Sequence, residues 1–363
     1  MKFKFTFPII ASVLIIVLLI LSLNIKKGKV IDDFMSYNSP NFSLANYCGS
    51  GKSLKFQDLP DASLLSGIGN SEWLIKTSSD SAQIYFNQGL NALHSFWDVE
   101  AFRAFKKAMT FDSLSPMIHW GLDRSITQTS GELKNLKVKS SKWAMDLKNN
   151  GSKENEDFLI AFYQRNQGRD KYKLAMEDYL KKYPHQVEAK LFYASFLSTG
   201  VDTYLSDGTP TIENLRGQEL LKEVSFVKPN SSALHHYLIH ANENSLNPEN
   251  ALESANLITE LAPSSGHLTH MPGHIYYRMG NYNKGIEFFY NSLRVDSIYM
   301  SKSKIGAINN WNYIHNLDYL IASCAESGRY QEGLTWAKKI SSTALDRARK
   351  MSRGSGYILF GAY

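Results

Sequence analysis

A chain of 363 residues with 43% hydrophobic and 20% charged residues can bury one large core or form an extended repeat array, and its composition excludes a disordered chain. The net charge of +6 is spread widely. Its densest basic run, Lys134–Lys142, is interleaved with Leu136 and Val138. That is the pattern of an amphipathic helix with a solvated lysine face, and it argues against nucleic-acid binding. Cys48 and Cys324 are far apart and say little about redox compartment; Cys324 falls in an apolar helical pattern and reads as a small core residue.

The N-terminus carries Lys2 and Lys4, then an uncharged run from Phe5 to Ile25 closed by Lys26, Lys27 and Lys29. A run of this length can span a hydrocarbon core. No small-x-small cleavage site follows Leu23, so residues 1–29 read as an uncleaved membrane anchor, with the bulk of the chain outside the cytoplasm. Residues 30–80, rich in Ser, Asn, Gly and Asp, read as a linker with some ordered turns. Gly49–Ser53 has the composition of a phosphate loop, but Asn46 stands where the first glycine belongs and neither flank fits.

From Ser81 the pattern is helical and repetitive. Counted from Ala82, Gly89, Ala101, Phe105 and Ala108 fall at positions 8, 20, 24 and 27 of a 34-residue helix–turn–helix unit. Glycine and alanine there let two helices cross closely while the aromatic fills the next groove. Looser units follow, and Ser198–Thr211, with Gly200, Gly208 and Pro210, reads as a loop long enough to cover a groove. Two 34-residue units then lie back to back, Ser232–Ser265 and Gly266–Tyr299, and a last one runs from Asn309 to Arg349. Residues 81–363 thus read as one all-α domain, a tetratricopeptide-like solenoid. No polar capping helix closes it; either the last residues dock elsewhere or the sequence is a fragment.

Six of the ten histidines fall in one window: His236, His240, His267, His270, His274 and His315. His236 aligns with His270 and His240 with His274, both pairs at the i, i+4 spacing that shares a helix face. The repeat register puts all six on the concave side of the array, with Glu243 and Asp318. Imidazole clusters suit zinc, copper, iron or nickel. Tyr237 and Met271 stand where a zincin would have its glutamate, so that motif is excluded. His94, His119 and His185 read as structural, as do His235, at a packing position of its unit, and Tyr276, Tyr277, Phe288, Phe289 and Tyr290. Pro272 sits inside the expected helix, which predicts a late helix start near Met271 or a kink, with His267 and His270 in a preceding loop.

In HHYLIHANE, GHLTHMPGHIYYRMGNY, the YIHN segment Tyr313–Asn316 and the first unit from Tyr85, the chain resembles a family of bacterial tetratricopeptide-repeat proteins, often exported, that carry a His-Met-Pro-x-His motif. The resemblance spans about Tyr85 to Arg329. It implies the repeat fold and a histidine site more than a reaction. The family's last motif has a second histidine where Asp318 stands, and an aromatic Pro-Trp-rich segment where this chain reads STGV from Ser198.

Three functions are compatible with these residues. The first is a membrane-anchored repeat protein whose groove binds zinc, copper or iron through the six histidines. The second is a metal-dependent hydrolase or oxidase with Glu243 or Asp318 as base; it predicts a closed pocket beneath the Ser198–Thr211 loop. The third is a metal-free scaffold for a protein or peptide, which predicts an open groove with the histidines spread along it.

Overall fold

The computed structural model describes residues 59–127, 131–307 and 310–342. The apolar N-terminal run, Gly49–Ser53 and the residues after 342 lie outside these. No helix among the described residues is long and apolar enough to cross a membrane.

The described chain is all-helical, with fourteen α-helices that pack as seven successive hairpins. They are α1 (Asp80–His94) with α2 (Asp98–Phe111), α3 (Pro116–Ser125) with α4 (Gly131–Asp146), and α5 (Lys153–Tyr163) with α6 (Arg169–Lys182). Next come α7 (Val187–Ser198) with α8 (Ile212–Val227), and α9 (Ser232–Asn242) with α10 (Leu252–Leu261). The last two are α11 (Gly266–Arg278) with α12 (Tyr282–Ser303), and α13 (Trp311–Glu326) with α14 (Tyr330–Ser342). Ser231 and Ser265 start α9 and α11 by accepting the amide protons of Leu234 and Leu268, which satisfies donors a helix start leaves open.

Small and large residues mesh where adjacent helices cross. A Cβ on Gly89 would lie 2.7 Å from the Phe105 ring, one on Gly121 2.4 Å from the same ring, and one on Gly273 2.1 Å from Phe289. In the later hairpins the first helix also touches the first helix of the next: α7 meets α9, α9 meets α11, and α11 meets α13.

The array curls until its start meets its later hairpins. Helix α1 touches α9. The Tyr237 hydroxyl lies 2.8 Å from His94 Nδ1, and Trp311 Nε1–H donates to the Phe96 carbonyl at 2.7 Å. Trp97 packs edge-on against Tyr299, whose hydroxyl donates to the buried Glu100 carboxylate at 2.9 Å. The segment before α1 takes part in this closure. Trp73 packs against Trp120 and Phe158, Asn70 bonds Ser232 and Asn230, and the Gly67 carbonyl accepts from Ser264 N. Residues 59–79, expected as linker, are therefore a strap across the first, second, third and fifth hairpins.

Helix α11 corrects the reading of Pro272. The helix starts at Gly266, six residues ahead of the proline, and runs through it to Arg278. Interior proline costs about 3 kcal/mol. Here Met271, Ile275 and Leu268, all buried in one apolar cluster with Ile239 and Ile258, hold the turn on both sides of it. His267 and His270 are thus helical residues, not loop residues.

Replacing Gly273 by Ala forces its new methyl into Phe289. We expect Gly273→Ala to destabilise the protein by about 1–3 kcal/mol, read as a lower melting temperature, and Gly273→Ala/Phe289→Leu to recover part of the loss. An unchanged melting temperature in the single variant would contradict the close crossing of α11 and α12.

Candidate metal centre

Helix α9 carries His236 and His240, α11 carries His267, His270 and His274, and α13 carries His315. Because α11 packs between α9 and α13, its histidines meet those of both neighbours. The approach of α11 to α12 needs glycine at its first residue, since a Cβ on Gly266 would lie 2.0 Å from Asp296 Oδ1. All six histidines are buried, none more than 7% exposed. They form two triads, His236–His240–His267 and His270–His274–His315, in each of which one donor atom per ring lies within 4.8 Å of the others. Rings of different triads are neighbours too, with centroids 5.8 Å apart for His267 and His270 and 6.1 Å for His240 and His274.

Hydrogen bonds fix which nitrogen of each ring faces inward. His236 Nδ1 lies 2.6 Å from the His94 carbonyl, so it must donate. His240 Nδ1 and His274 Nδ1 donate to the two oxygens of Glu243, at 2.7 and 2.5 Å. His267 Nδ1 meets Asn312 Oδ1 at 3.0 Å, and His270 Nδ1 meets Asn316 Oδ1 at 2.6 Å. Both amides are oriented by their other ends: Asn312 Nδ2 donates to Asp296 Oδ2 and Asn316 Nδ2 to the Phe289 carbonyl. Five Nδ1 atoms are therefore protonated, and the Nε2 atoms of these five rings carry lone pairs.

Those lone pairs lack partners of the ordinary kind. Nε2 of His236, His240 and His267 is buried with no hydrogen-bond partner. Nε2 of His270 and of His274 face each other at 2.7 Å, a contact that needs a proton or a cation between two lone pairs. Leaving a buried acceptor unsatisfied costs about 1–3 kcal/mol. An electron-pair acceptor between the rings removes that cost, so the donor set fits a transition metal in each triad. His235 is the contrast: both its nitrogens are bonded, to Ser254 Oγ and the Pro229 carbonyl. His94 likewise uses both, on Tyr237 and Glu188.

The two carboxylates assigned as bases have other places. Glu243, just past the end of α9, spends both oxygens on the Nδ1 atoms of His240 and His274 and so orients two ligands. Asp318 makes no bond to any of the six rings and does not line the adjoining cavity. Helices turn by about 100° per residue, so where Tyr319 stacks on His274 at 4.3 Å, Asp318 points off that face. Burial raises its carboxyl to about 6.

Sequence reasoning missed Asn312, Asn316, Asp296 and Phe96. The two asparagines lie three before and one after His315, a spacing that could have marked them. Phe96 has no such signal. It sits in the turn between α1 and α2 with a left-handed φ of 53°, unusual for an aromatic residue. Its ring packs on His236, His240 and His267 at 4.7, 5.4 and 5.5 Å.

A cavity of about 750 Å³ opens beside the triads, with His240, His267, His274, His315 and Glu243 on its wall. The loop Ser198–Thr211 contributes Thr199 and Gly200 to its rim and is tied down by Tyr204 Oη–H donating to the Ala241 carbonyl. When the chain is compared with family models none matches, and no curated protein shows significant similarity to it.

Burial, and then the neighbouring imidazoles, push His236, His267, His270 and His315 well below the ordinary histidine range. Burial would raise Glu243, but His240 and His274 outweigh it and hold the carboxyl well below the carboxylate range. The unfolded chain takes up protons on histidine near pH 6.5 while these four folded rings stay neutral. Stability is therefore present above that pH and is lost as pH falls through it, by up to about 1.4 kcal/mol per pH unit for each ring. We expect the denaturation midpoint of metal-free protein to fall steeply between pH 7.5 and 5.5, and less steeply in His236→Gln/His270→Gln. Equal slopes in both proteins would contradict the buried neutral state of these rings.

Proposed function

We propose that this chain is a helical-repeat protein whose two histidine triads bind a pair of transition-metal ions, zinc, copper or iron. The observation that carries the reading is the set of Nδ1 atoms pinned to fixed acceptors, which leaves buried, unpartnered Nε2 lone pairs aimed at common points. Neutral imidazole suits these metals, and acceptors behind each ring tune and orient ligands as they do in known metal sites. Three imidazoles with no fourth protein ligand would give a bound divalent ion a Lewis-acid role toward a molecule in the cavity.

Among the uses of such a centre, small-molecule chemistry, as in a hydrolase or oxidase, is favoured over a peptide scaffold. The histidines are gathered at one end of a cavity, and the α1–α2 turn covers them from the side where an extended peptide would lie. In that chemistry Glu243 is a positioning residue for His240 and His274, and Tyr319 and Phe96 exclude water from the ring faces. We further read the stacked hairpins as tetratricopeptide-like, in keeping with the family resemblance in the histidine motifs, and residues 1–29 as an anchor that holds the domain outside the cytoplasm.

Full-length protein purified without chelator, analysed by elemental mass spectrometry, is expected to hold or take up two metal equivalents. His236→Ala/His267→Ala and His270→Ala/His315→Ala are each expected to hold one, and His240→Ala/His274→Ala to lose affinity at both sites. Wild-type protein that neither holds nor takes up metal would overturn the reading. Glu243→Gln presents one amide donor where two ring protons need acceptors. We expect it to weaken metal binding roughly 10–100-fold and also to lower the melting temperature of the metal-free protein, because one buried ring proton loses its acceptor.

A further inference from the structure

The cavity that ends at the histidines has a second, chemically different end. Arg124, at the C-terminal end of α3, and Arg165, in the short 3-10 segment after α5, both line it. Both stack on Phe162, with guanidinium carbons 5.5 and 5.1 Å from the ring centre, and Arg165 also reaches Tyr172. Among the described residues neither guanidinium forms an ion pair or donates a hydrogen bond; Arg165 is exposed, whereas Arg124 is partly buried and its Nε is buried without a partner. A buried charged donor with no acceptor is costly.

The surrounding charges do not supply the acceptor. The same two arginines border a smaller cavity of about 420 Å³ that also holds Lys137 and Asp123. Asp123 is already used: Lys137 Nζ pairs with it at 3.1 Å and the Tyr163 hydroxyl donates to it at 3.3 Å. Three cations thus face one engaged carboxylate. Burial lowers the Lys137 ammonium, Asp123 opposes this, and Arg124 and Arg165 add to the lowering. In the main cavity the carboxylates are Glu243, held by two imidazoles, and Asp98, which accepts from Thr127 Oγ1 at 3.0 Å. Between the arginines and the histidines the wall is apolar and aromatic, with Leu93, Phe192 and Phe196 beside Phe162.

We propose that the cavity takes an organic anion with an apolar body, its carboxylate or phosphate head held by Arg124 and Arg165. The planar forks of two arginines suit either head group, and the aromatic wall suits an aromatic or branched body. The other end of such a molecule faces the imidazoles. This orientation rests on the metal reading above; the anion site itself does not.

The test uses full-length protein in detergent after dialysis against chelator, titrated calorimetrically with phenyl phosphate, phenylacetate and the neutral benzyl alcohol. At least one anion is expected to bind at least tenfold more tightly than the alcohol, and the preferred anion identifies the head group. Arg124→Gln/Arg165→Gln is expected to weaken that anion roughly 10–100-fold while leaving metal uptake unchanged. Arg124→Lys/Arg165→Lys, which keeps the charge but loses the forks, is expected to fall between the two and guards against a folding defect in the glutamine variant. Anion binding only to metal-loaded protein and indifferent to the arginines would overturn the proposal, as would equal binding of the alcohol or no anion binding. Arginine-dependent binding in a protein that takes up no metal would sustain the anion site and sink the metal reading instead.

Discussion

An imidazole has two ring nitrogens, and burying it away from water demands a partner for each. Six such rings are buried against one another here, and the arrangement of the surrounding chain follows from how those demands are met. A main-chain carbonyl, two asparagine amides and one shared carboxylate meet the outward nitrogens of five of them. The asparagines can serve only because Asp296 and the Phe289 carbonyl hold their amide groups the right way round. The inward nitrogens of these five then have only each other. Such a set of like lone pairs is unfavourable unless something electron-poor lies between them, and the repeat scaffold is what forces the rings together despite that.

This explains why the array curls. A straight stack of hairpins would leave His236 facing solvent along an open concave surface. Docking α1 against α9 brings the His94 carbonyl onto His236 and the Phe96 ring over three histidines. The left-handed backbone of Phe96 costs free energy. Its carbonyl is held by Trp311 on α13, and Trp97 next to it packs on Tyr299. The strain is thus offset by contacts that also close the ring, and closure turns a groove into a bounded cavity.

What the sequence made legible is what local periodicity encodes. The 34-residue register placed the glycines against Phe105 and Phe289, and the i, i+4 histidine pairs on shared faces, because both follow from helix geometry and the hairpin repeat. His235, at a packing position of the same helix, accordingly finds partners in Ser254 and Pro229. What was not legible depends on residues distant in the chain. The strap at 59–79, the contact of α1 with α9 and the turn at Phe96 join segments more than a hundred residues apart. The late helix start expected near Met271 failed for a related reason: the rule that proline ends a helix is local, whereas here burial on both sides lets α11 run through Pro272. The repeat register put Asp318 on the concave side with the histidines, but the side chain that α13 turns toward the site is Tyr319.

The two triads are not equivalent, and the difference lies in their acceptors. In the first, the rings are held by a carbonyl, an amide and one oxygen of Glu243, each from a different helix or turn, so its geometry depends on the closure of the whole array. In the second, two of the three rings come from α11, as two of the first come from α9, but here the Nε2 atoms of that pair already touch. Glu243 joins the two, since its oxygens serve one ring of each triad, and Arg278 holds its backbone by donating to its carbonyl at 2.9 Å. A displacement of α9 relative to α11 would therefore be felt by both triads at once through a single carboxylate. The site is built as one coupled unit across three hairpins, with the first hairpin as the piece whose docking completes it.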